Sequence, residues 1–445
     1  MSQHPRILSQ IAGFRGWKVV EAYWENARGE RFEPPGFDVP PDAVLVLRMA
    51  RRWAPRCGKC LAIVGACHER RKLRRWNDLP WAGHRAVVEY APERLKCERC
   101  GSHAAELLGW ADAGQRQTRR LQQQLAFDAY SMPLSHVATK YGLPWRTVRR
   151  AETAAIERWE RTRPPKALRY VGLDEKWLGR RHKRPEKFIT MVSDLETGEP
   201  EWIGYGRDAD TVKQWLAPLT PEQKAQIILF ASDMHDPFKK AIREDEGLAH
   251  VAYAHDPFHI MKRAGEAISE LRREIFFRAG PEMRAAGRGA RWLVLRPWYR
   301  LSDDEKAQLG RLFTLSNGKL ARAYQTIEQL REALKAPDED TLAEAIWPVL
   351  QRTARRSNVP MRKLHDSLIA HMDGILALAR HRPPTGRIEA LNNNWETLVR
   401  RGRGYRDHQY LLRKLRFITA NPVRTRAGIL RFLALGITPP IAEAA

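Results

Sequence analysis

The chain has 445 residues, and 43% of them are hydrophobic, so it is long and apolar enough to form packed cores and is not a disordered polymer. It has no uninterrupted apolar run of about 18 residues, which excludes a hydrophobic membrane-spanning helix. Lysine and arginine number 77 against 52 aspartate and glutamate residues, a net charge of +25, and such a field attracts polyanions, above all nucleic acid.

The amino-terminal segment shows no targeting pattern. Residues 1–20 lack the apolar core of a signal peptide, so we expect a cytoplasmic protein with no membrane partner. Low-complexity tracts and internal repeats are also absent from the sequence.

Two CxxC pairs form the first chemical motif, Cys57 with Cys60 and Cys97 with Cys100. In a reducing compartment such pairs indicate a metal site rather than disulfides, and four thiolates suit tetrahedral Zn²⁺. We therefore predict a structural zinc site in an amino-terminal DNA-recognition domain, residues 1–108, where the metal replaces part of a small core. A single Cys or His is more often a packing or surface residue, and four of these lie nearby: Cys67, His68, His84 and His103. Basic residues between the two pairs are suited to phosphate contacts: Arg70, Arg71, Lys72, Arg74 and Arg75.

A helix-turn-helix pattern follows. Residues 134–141 predict a helix, residues 142–144 a turn, and residues from Trp145 a second helix, which is the order of a motif whose second helix enters the major groove. We assign it to a DNA-binding domain at residues 109–165. The other interpretation is an ordinary helical hairpin in a linker domain. Three arginines of the second helix are the predicted DNA contacts: Arg146, Arg149 and Arg150.

From residue 168 the pattern changes to strands and helices in the order β-β-β-α-β-α-β-α, which predicts an α/β fold with a mixed sheet. Two predicted strands end on Asp174 and Asp233, where side chains project from the rim of a rigid sheet. If these strands are neighbours, the two carboxylates converge, and their repulsion requires a cation. Oxygen ligands of this kind suit Mg²⁺ or Mn²⁺, and two such ions promote in-line displacement at a phosphodiester. The alternative is that each aspartate only caps the turn after its strand.

A long helical stretch separates the second aspartate from the last predicted active-site element. Residues 275–380 contain helices with acidic N-caps, and we predict an all-helical insertion there. It divides the catalytic domain into a first part, residues 166–274, and a C-terminal helical part, residues 381–445. We expect Trp292 and Trp298, which lie in the insertion near several arginines, to be buried core residues, with stacking on a splayed DNA base as the alternative.

Residues 386–410 join an amphipathic helix to a cluster of arginines. Hydrophobic residues recur there at helical spacing, from Ile388 to Leu398, and a separate polar face carries acids and amides. Four arginines near the end of the segment are predicted phosphate contacts: Arg400, Arg401, Arg403 and Arg406.

Several of these segments, in this order, resemble the ISL3 family of bacterial insertion-sequence transposases, which belongs to the DDE class. The resemblance covers nearly the whole chain, and its most specific carriers are VGLDEKW, ASDMHDPFKKAI, AHDPFHIMKRAGEAI and GRIEALNNNWETLVRRGRGYRD. It implies an RNase H-like catalytic fold, two divalent ions (Mg²⁺ or Mn²⁺), and DNA cleavage with strand transfer at terminal inverted repeats. It also implies target DNA as a partner and, because two ends are paired, a homodimer on DNA.

The resemblance also implies which acids perform the chemistry. Carried over by position, Asp174, Asp233 and Glu389 are the catalytic residues and the ligands of the Mg²⁺ ions. Glu396 is a rival to Glu389, because it lies on nearly the same helix face about 10 Å further along the axis. Ala390 departs from the family, which often has glycine at this position. The departure affects the DNA contacts implied for this helix more than the assignment of the catalytic acids.

Four further residues are accessory candidates. Asp256 and His259 match a D-x-F-H segment of the family and have no assigned role, while Asn392 and Asn393 are placed to bond a ligand or a phosphate. Two other functions share these residue types: a DNA-binding regulator that has lost the chemistry, and a nuclease that cuts without joining.

Overall fold

The computed structural model describes residues 4–34, 38–65, 67–164, 166–178, 187–234, 236–355, 357–402 and 405–437. The chain forms two compact units, one of residues 1–165 and 396–445 and the other of residues 166–395. The sequence grouped residues 381–445 with the catalytic domain, whereas most of that segment belongs to the first unit. Within the described ranges, no helix is both long and apolar enough to cross a bilayer.

The regular elements have the following bounds. The strands are β1 (Trp17–Glu25), β2 (Arg31–Phe32), β3 (Val44–Arg51), β4 (Cys67–Arg70), β5 (Arg74–Trp81), β6 (His84–Tyr90), β7 (Glu93–Lys96), β8 (His103–Ala105), β9 (Tyr170–Trp177), β10 (Phe188–Asp194), β11 (Pro200–Tyr205), β12 (Leu229–Ser232) and β13 (Ala252–His255). The helices are α1 (His4–Ala12), α2 (Arg119–Ser131), α3 (Leu134–Tyr141), α4 (Trp145–Arg161), α5 (Ala209–Leu216), α6 (Pro221–Ala225), α7 (Asp236–Arg243), α8 (Pro257–Arg272), α9 (Pro281–Ala286), α10 (Arg291–Leu295), α11 (Asp303–Leu315), α12 (Lys319–Ala333), α13 (Glu339–Thr353), α14 (Val359–Ala370), α15 (Met372–His381), α16 (Gly386–Gly402), α17 (His408–Ala420) and α18 (Arg426–Ala434).

Two sheets form the amino-terminal part of the first unit. The larger has the strand order β2-β1-β3-β6-β5, and the smaller has the order β4-β7-β8. The core of the larger sheet contains Trp110, whose ring packs edge-on against Trp17 and Trp76 at centroid distances of 5.6 and 5.0 Å. Strands β5 and β6 lie between the two CxxC pairs in sequence but belong to the larger sheet, where β6 pairs with the upstream β3 and β5 pairs with β6. The segment between the cysteine pairs is therefore larger than that of a zinc ribbon.

The helical part of the first unit combines α2, α3 and α4 with the distant α17 and α18. Thr118 caps α2 by accepting a hydrogen bond from the Leu121 amide, and Gly142 ends α3 in the left-handed conformation at φ 60°. The buried faces of these helices are apolar, and Phe417 and Phe432 from the carboxyl-terminal helices pack with Trp159 of α4. The first unit is therefore completed by chain that follows the catalytic segment.

A buried ion pair joins α4 to α17. Glu152 is 1% exposed, and its carboxylate accepts a hydrogen bond from Lys414 Nζ at 2.6 Å and another from the Tyr410 hydroxyl. Burial, followed by the charge of Glu152, raises the pKa of Tyr410, so the phenol stays a donor.

We expect Lys414→Met to lower the free energy of unfolding of the first unit by about 3 kcal/mol, because it leaves the charge of Glu152 buried without its cation. Urea unfolding followed by tryptophan fluorescence measures the loss. Arg426→Met, at an exposed position of α18, is the matched control and should change stability by less than about 0.5 kcal/mol. Equal effects of the two substitutions would contradict the role of the ion pair.

The second unit is built on one mixed sheet with the strand order β11-β10-β9-β12-β13. Strands β9, β10 and β11 are antiparallel neighbours, whereas β12 is parallel to both β9 and β13. The predicted order of strands and helices and the predicted mixed sheet are confirmed. Strands β9, β12 and β13 run in the same direction, and β12 and β13 end one residue before Asp233 and Asp256. The prediction that a strand ends on Asp174 is wrong, because β9 pairs with β10 past this residue and continues to Trp177.

Helices cover both faces of this sheet. On β12, Phe230 points into a core shared with α5 and α7, while Leu229 and Ala231 point into a core shared with α15 and α16. Gly172 allows α16 to come close, because a Cβ there would lie 3.2 Å from Ile388 and 2.6 Å from the Ser193 hydroxyl. This close approach positions the start of α16 over the sheet.

The helical insertion has its own core, formed by α8 and α10 to α15. Helix α15 also packs against the sheet, so part of the segment predicted as insertion belongs to the sheet layers. The expectation that Trp292 and Trp298 are buried is wrong, since their side chains are 65% and 44% exposed. Both lie on helical turns of only a few residues, which are too short for periodicity to separate an inward face from an outward one.

Candidate active site and DNA-binding elements

Three carboxylates lie at the same level of three neighbouring strands. Leu173 of β9 pairs with Ser232 of β12, which pairs with His255 of β13. Each of these residues is followed directly by an aspartate: Asp174, Asp233 and Asp256. Because adjacent strands are about 4.8 Å apart, the three acids form a row at the carboxyl edge of the sheet.

The first two acids of this row lack the hydrogen bonds that buried carboxylates usually have. Asp233 Oδ1 and Asp174 Oδ2 are buried and accept no hydrogen bond from the residues that the structure describes, and Lys176 Nζ lies 3.6 Å from Asp174. Burial, together with the charges of Asp174 and Glu175, raises the pKa of Asp233 to about 7. A divalent cation at this edge would relieve both the repulsion and the missing bonds, so the donor set fits Mg²⁺ or Mn²⁺.

Asp256 connects the row to α8 and to α16. Its carboxylate caps α8 by accepting a hydrogen bond from the Phe258 amide at 3.0 Å. Burial raises the pKa of Asp256 to about 6, and the charges of Asp174 and Glu389 add to the effect. Burial also lowers the pKa of His259, one turn into α8, and favours its neutral form.

Glu389 occupies the first turn of α16 and is exposed, and its charge acts on Asp256. The rival Glu396 bonds Arg400 at 2.6 Å and belongs to the other compact unit. Asn392 keeps a buried Oδ1 without a hydrogen-bond partner in the described part of the chain, whereas Asn393 is exposed.

The acids do not all converge on one ion position. Among the described residues, the four cysteines are the one group of three or more His, Cys, Asp or Glu residues whose ligand atoms are close enough to hold a single metal. The carboxylate oxygens of Asp174, Asp233 and Glu389 are therefore too far apart to bind one shared ion. Their charges still act on the same row of acids, since Asp174 affects Asp233, and both Asp174 and Glu389 affect Asp256.

The four cysteines of the CxxC pairs do converge. All four Sγ atoms lie within 4.8 Å of one another, with Cys57 to Cys100 at 3.8 Å and Cys60 to Cys97 at 3.5 Å. Thiolates bound to one tetrahedral zinc at about 2.3 Å are about 3.8 Å apart, so the donor set fits Zn²⁺. A hydrogen bond from the Ser102 hydroxyl at 2.8 Å lowers the pKa of Cys100 to about 6.

The fifth cysteine and the histidines near the CxxC pairs lie outside this cluster of four. Cys67 is exposed on β4, and the rings of His68 and His103 stack on each other at 4.3 Å. Two of the basic residues expected to contact phosphate form ion pairs with glutamates of the same chain. Arg75 pairs with Glu25 at 2.6 Å, and Arg70 pairs with Glu93 at 3.1 Å.

The helix-turn-helix occupies the predicted residues, with α3 over 134–141 and α4 from Trp145. Arg146 and Arg150 are exposed near the start of α4. Arg149 instead bonds Asp407, the N-cap of α17, and its guanidinium lies over the Tyr410 ring at 4.4 Å.

The arginines beyond α16 differ from one another. Arg401 donates to the Tyr130 carbonyl at 2.7 Å, Arg400 pairs with Glu396, and Arg406 is exposed. Arg403 lies outside the described residues.

Comparison with known proteins identifies the family. Residues 171–415, more than half of the chain, match an ISL3-type DDE family model described as "Transposase". The chain belongs to the ISL3 family of transposases. Residues 106–155 of this transposase also match the model described as "Helix-turn-helix domain of transposase family ISL3".

Two named relatives resemble the transposase over most of its length. It is 27% identical over 415 residues to the transposase for insertion sequence element IS1001 of Bordetella parapertussis, covering 92% of this chain and 97% of the relative. It is 25% identical over 406 residues to the transposase for insertion sequence element IS1557 of Mycobacterium tuberculosis, covering 84% and 88% of the two chains. The two family-model matches span the acids of the sheet edge, Glu389 and the helix-turn-helix. The chain is thus a DNA transposase with a DNA-binding helix-turn-helix.

Sequence reasoning about this transposase missed two groupings. The register of β12 with β13 places Asp256 beside Asp233, and the sequence does not specify this register. The position of Asp256 at the end of a predicted strand could have indicated that it joins the other two acids. The partner of Arg149 is 258 residues away in sequence, at Asp407, and no local pattern points to it.

Proposed function

We propose that this transposase cuts DNA at the terminal inverted repeats of an insertion sequence and joins the freed ends to target DNA, using Mg²⁺ or Mn²⁺. The observation that carries the proposal is the row of Asp174, Asp233 and Asp256 on neighbouring parallel strands, where two buried carboxylate oxygens have no hydrogen-bond partner in the described part of the chain. A mixed sheet with three antiparallel strands and two parallel crossovers supports an RNase H-like assignment of the catalytic unit.

Asp174 and Asp233 would hold the divalent ions, with Glu389 as the third acid. When bound, the ions would supply charge neutralisation at the phosphate and activation of the nucleophile. The protein would contribute positioning, because its carboxylates project from a rigid sheet edge and from a helix packed on that sheet through Gly172. Asp256 would hold the start of α8 in place, and the neutral His259 and the open Oδ1 of Asn392 are proposed accessory contacts.

DNA recognition would rest on the first unit. We propose that Arg146 and Arg150 contact DNA directly, whereas Arg149 is oriented by Asp407 and Tyr410. Arg400, Arg403 and Arg406 would contact phosphates, and Arg401 would do so only if it leaves the Tyr130 carbonyl. A structural Zn²⁺ on the four cysteines would stabilise the lobe that precedes these helices.

The protein would act as a homodimer on DNA, in the cytoplasm at the nucleoid, since two element ends must be brought together for joining. The test uses the full-length protein and duplexes that carry the element's terminal repeats. We expect nicking at the repeat ends with Mg²⁺ or Mn²⁺ and none without divalent ions, followed by joined products when a target plasmid is added. Denaturing gels measure both steps.

Each other outcome has a distinct meaning. Cutting without joined products would favour a nuclease of the same family, and specific binding without cutting under any metal condition would favour a regulator. Cleavage that is independent of divalent ions would contradict the proposed chemistry.

A further inference from the structure

A cleft of about 840 Å³ runs along α8 in the second unit. Phe258, Met261 and Gly265 line it from α8, and Trp292 and Leu295 line it from α10. Gly265 lets α10 pack closely, because a Cβ there would lie 2.9 Å from Leu295. The floor is therefore apolar and well packed, and its volume is that of a binding site for a small group rather than of a packing defect.

Two large aromatic side chains stand at the edges of this cleft and face solvent. Trp292 is 65% exposed and Phe258 is 58% exposed. The guanidinium of Arg291 lies 5.3 Å from the Trp292 ring centroid. Exposed aromatic rings beside a cation provide a flat surface that a second π system can cover.

The rim of the cleft is strongly basic. Five cationic residues and one acid line it: Lys262, Arg272, Arg273, Arg291, Arg331 and Glu266. Arg273 and Arg331 are paired with glutamates of their own helical segments, whereas Lys262 and Arg291 have no carboxylate partner in the described ranges of the chain. Burial lowers the pKa of Arg272, and the charges of Arg273 and Arg291 add to the effect. Such a rim attracts an anionic ligand.

The cleft lies next to the acidic row. Phe258 is two residues beyond Asp256 on the same helix start, and the charge of Lys262 acts on Asp233. A DNA strand with a phosphate at the acids therefore has its neighbouring nucleotides close to this cleft.

We propose that the cleft binds one or two unpaired nucleotides adjacent to the phosphate that is cut, with their bases stacked on Trp292 and Phe258. Lys262 and Arg291 contact the phosphates. Bases within a duplex already stack on each other, so only an unpaired base offers its face to these rings. The inference rests on the proposed cleavage at Asp174 and Asp233, because those acids determine which nucleotides are adjacent.

The test is a binding measurement that needs no chemistry. Full-length protein, without divalent ions, is titrated with blunt terminal-repeat duplexes and with duplexes whose cut end carries unpaired nucleotides including 2-aminopurine. We expect wild type to bind the unpaired form about 10-fold more tightly and to change the 2-aminopurine fluorescence, since stacking is the main added contact. Trp292→Ala should remove both effects, and Trp292→Phe should largely retain them.

Trp347→Ala is the matched control, because Trp347 is 60% exposed on α13 and lies outside the cleft. If Trp292→Ala keeps the preference for unpaired ends, or if Trp347→Ala loses it equally, the proposal is wrong. In a cleavage assay, Trp292→Ala should cut paired ends about 10-fold more slowly and mismatched ends at nearly the wild-type rate. If wild type binds unpaired ends as expected but does not cut DNA, the proposed function is wrong and the proposed nucleotide-binding cleft is not.

Discussion

Replacing Asp233 by asparagine is expected to reduce DNA cleavage by about 1,000-fold or more, while binding to terminal-repeat DNA stays within about twofold of wild type. The substitution keeps the shape of the side chain but removes the negative charge that a divalent ion at the sheet edge would need. Single-turnover cleavage and gel-shift binding measure the two quantities on the same full-length protein.

The same loss is expected for Asp174→Asn and Glu389→Gln. Glu396→Gln is the matched control on the same helix, because Glu396 bonds Arg400 and belongs to the other compact unit. Its cleavage rate should stay within about threefold of wild type. If Asp233→Asn cleaves normally, the assignment of the sheet-edge acids is wrong, and if Glu396→Gln is inactive and Glu389→Gln active, the third acid has been misassigned.

The free energy of unfolding of Asp233→Asn, compared with that of wild type, tests whether the inactive variant is folded. The pKa of Asp233 is raised to about 7, so its charged form is disfavoured in the folded protein relative to the unfolded chain. Without added divalent ions, this penalty is absent below the unfolded-state pKa of about 4 and fully present above pH 7. Asp233→Asn should therefore be more stable than wild type by about 1–2 kcal/mol at pH 8, with the difference lost on acidification.

Replacing Cys57 and Cys60 together by serine is expected to abolish zinc binding and to unfold the small sheet around the CxxC pairs. The double substitution removes two of the four thiolates that lie within 4.8 Å of one another, so the zinc loses half of its ligands. A structural zinc contributes about 10 kcal/mol or more to the stability of a small domain. Metal analysis should show about one zinc per chain in wild type and none in the variant. Binding to terminal repeats should fall by at least about 10-fold.

Cys67→Ser is the control for this pair, because Cys67 is exposed and lies outside the cluster. It should retain zinc and DNA binding. Zinc that persists in the double serine variant, or zinc that is lost in Cys67→Ser, would contradict the assignment of the zinc site to the four clustered cysteines.

The features that sequence reasoning located correctly are carried by neighbouring residues. Each CxxC pair forms its own turn, Gly142 ends α3 because glycine accepts a left-handed conformation, and Asp233 directly follows the apolar strand β12. The order of strands and helices in the second unit also follows from local periodicity. Such patterns depend on interactions within one helix or strand, and these are encoded over a few residues.

What the tertiary structure alone decided are the pairings between distant segments. The register of β12 with β9 and β13 brings Asp256 level with the other two aspartates, and no local pattern specifies a register between separate strands. The return of α17 to the helix-turn-helix, where Asp407 holds Arg149, depends on buried contacts of Lys414 and Phe417 more than 250 residues from their partners. The exposure of Trp292 is equally a property of the assembled fold, because a five-residue helix can turn either face to the core. By itself, the sequence determined the residue types and the local elements of this transposase, and long-range packing decided which of those residues meet.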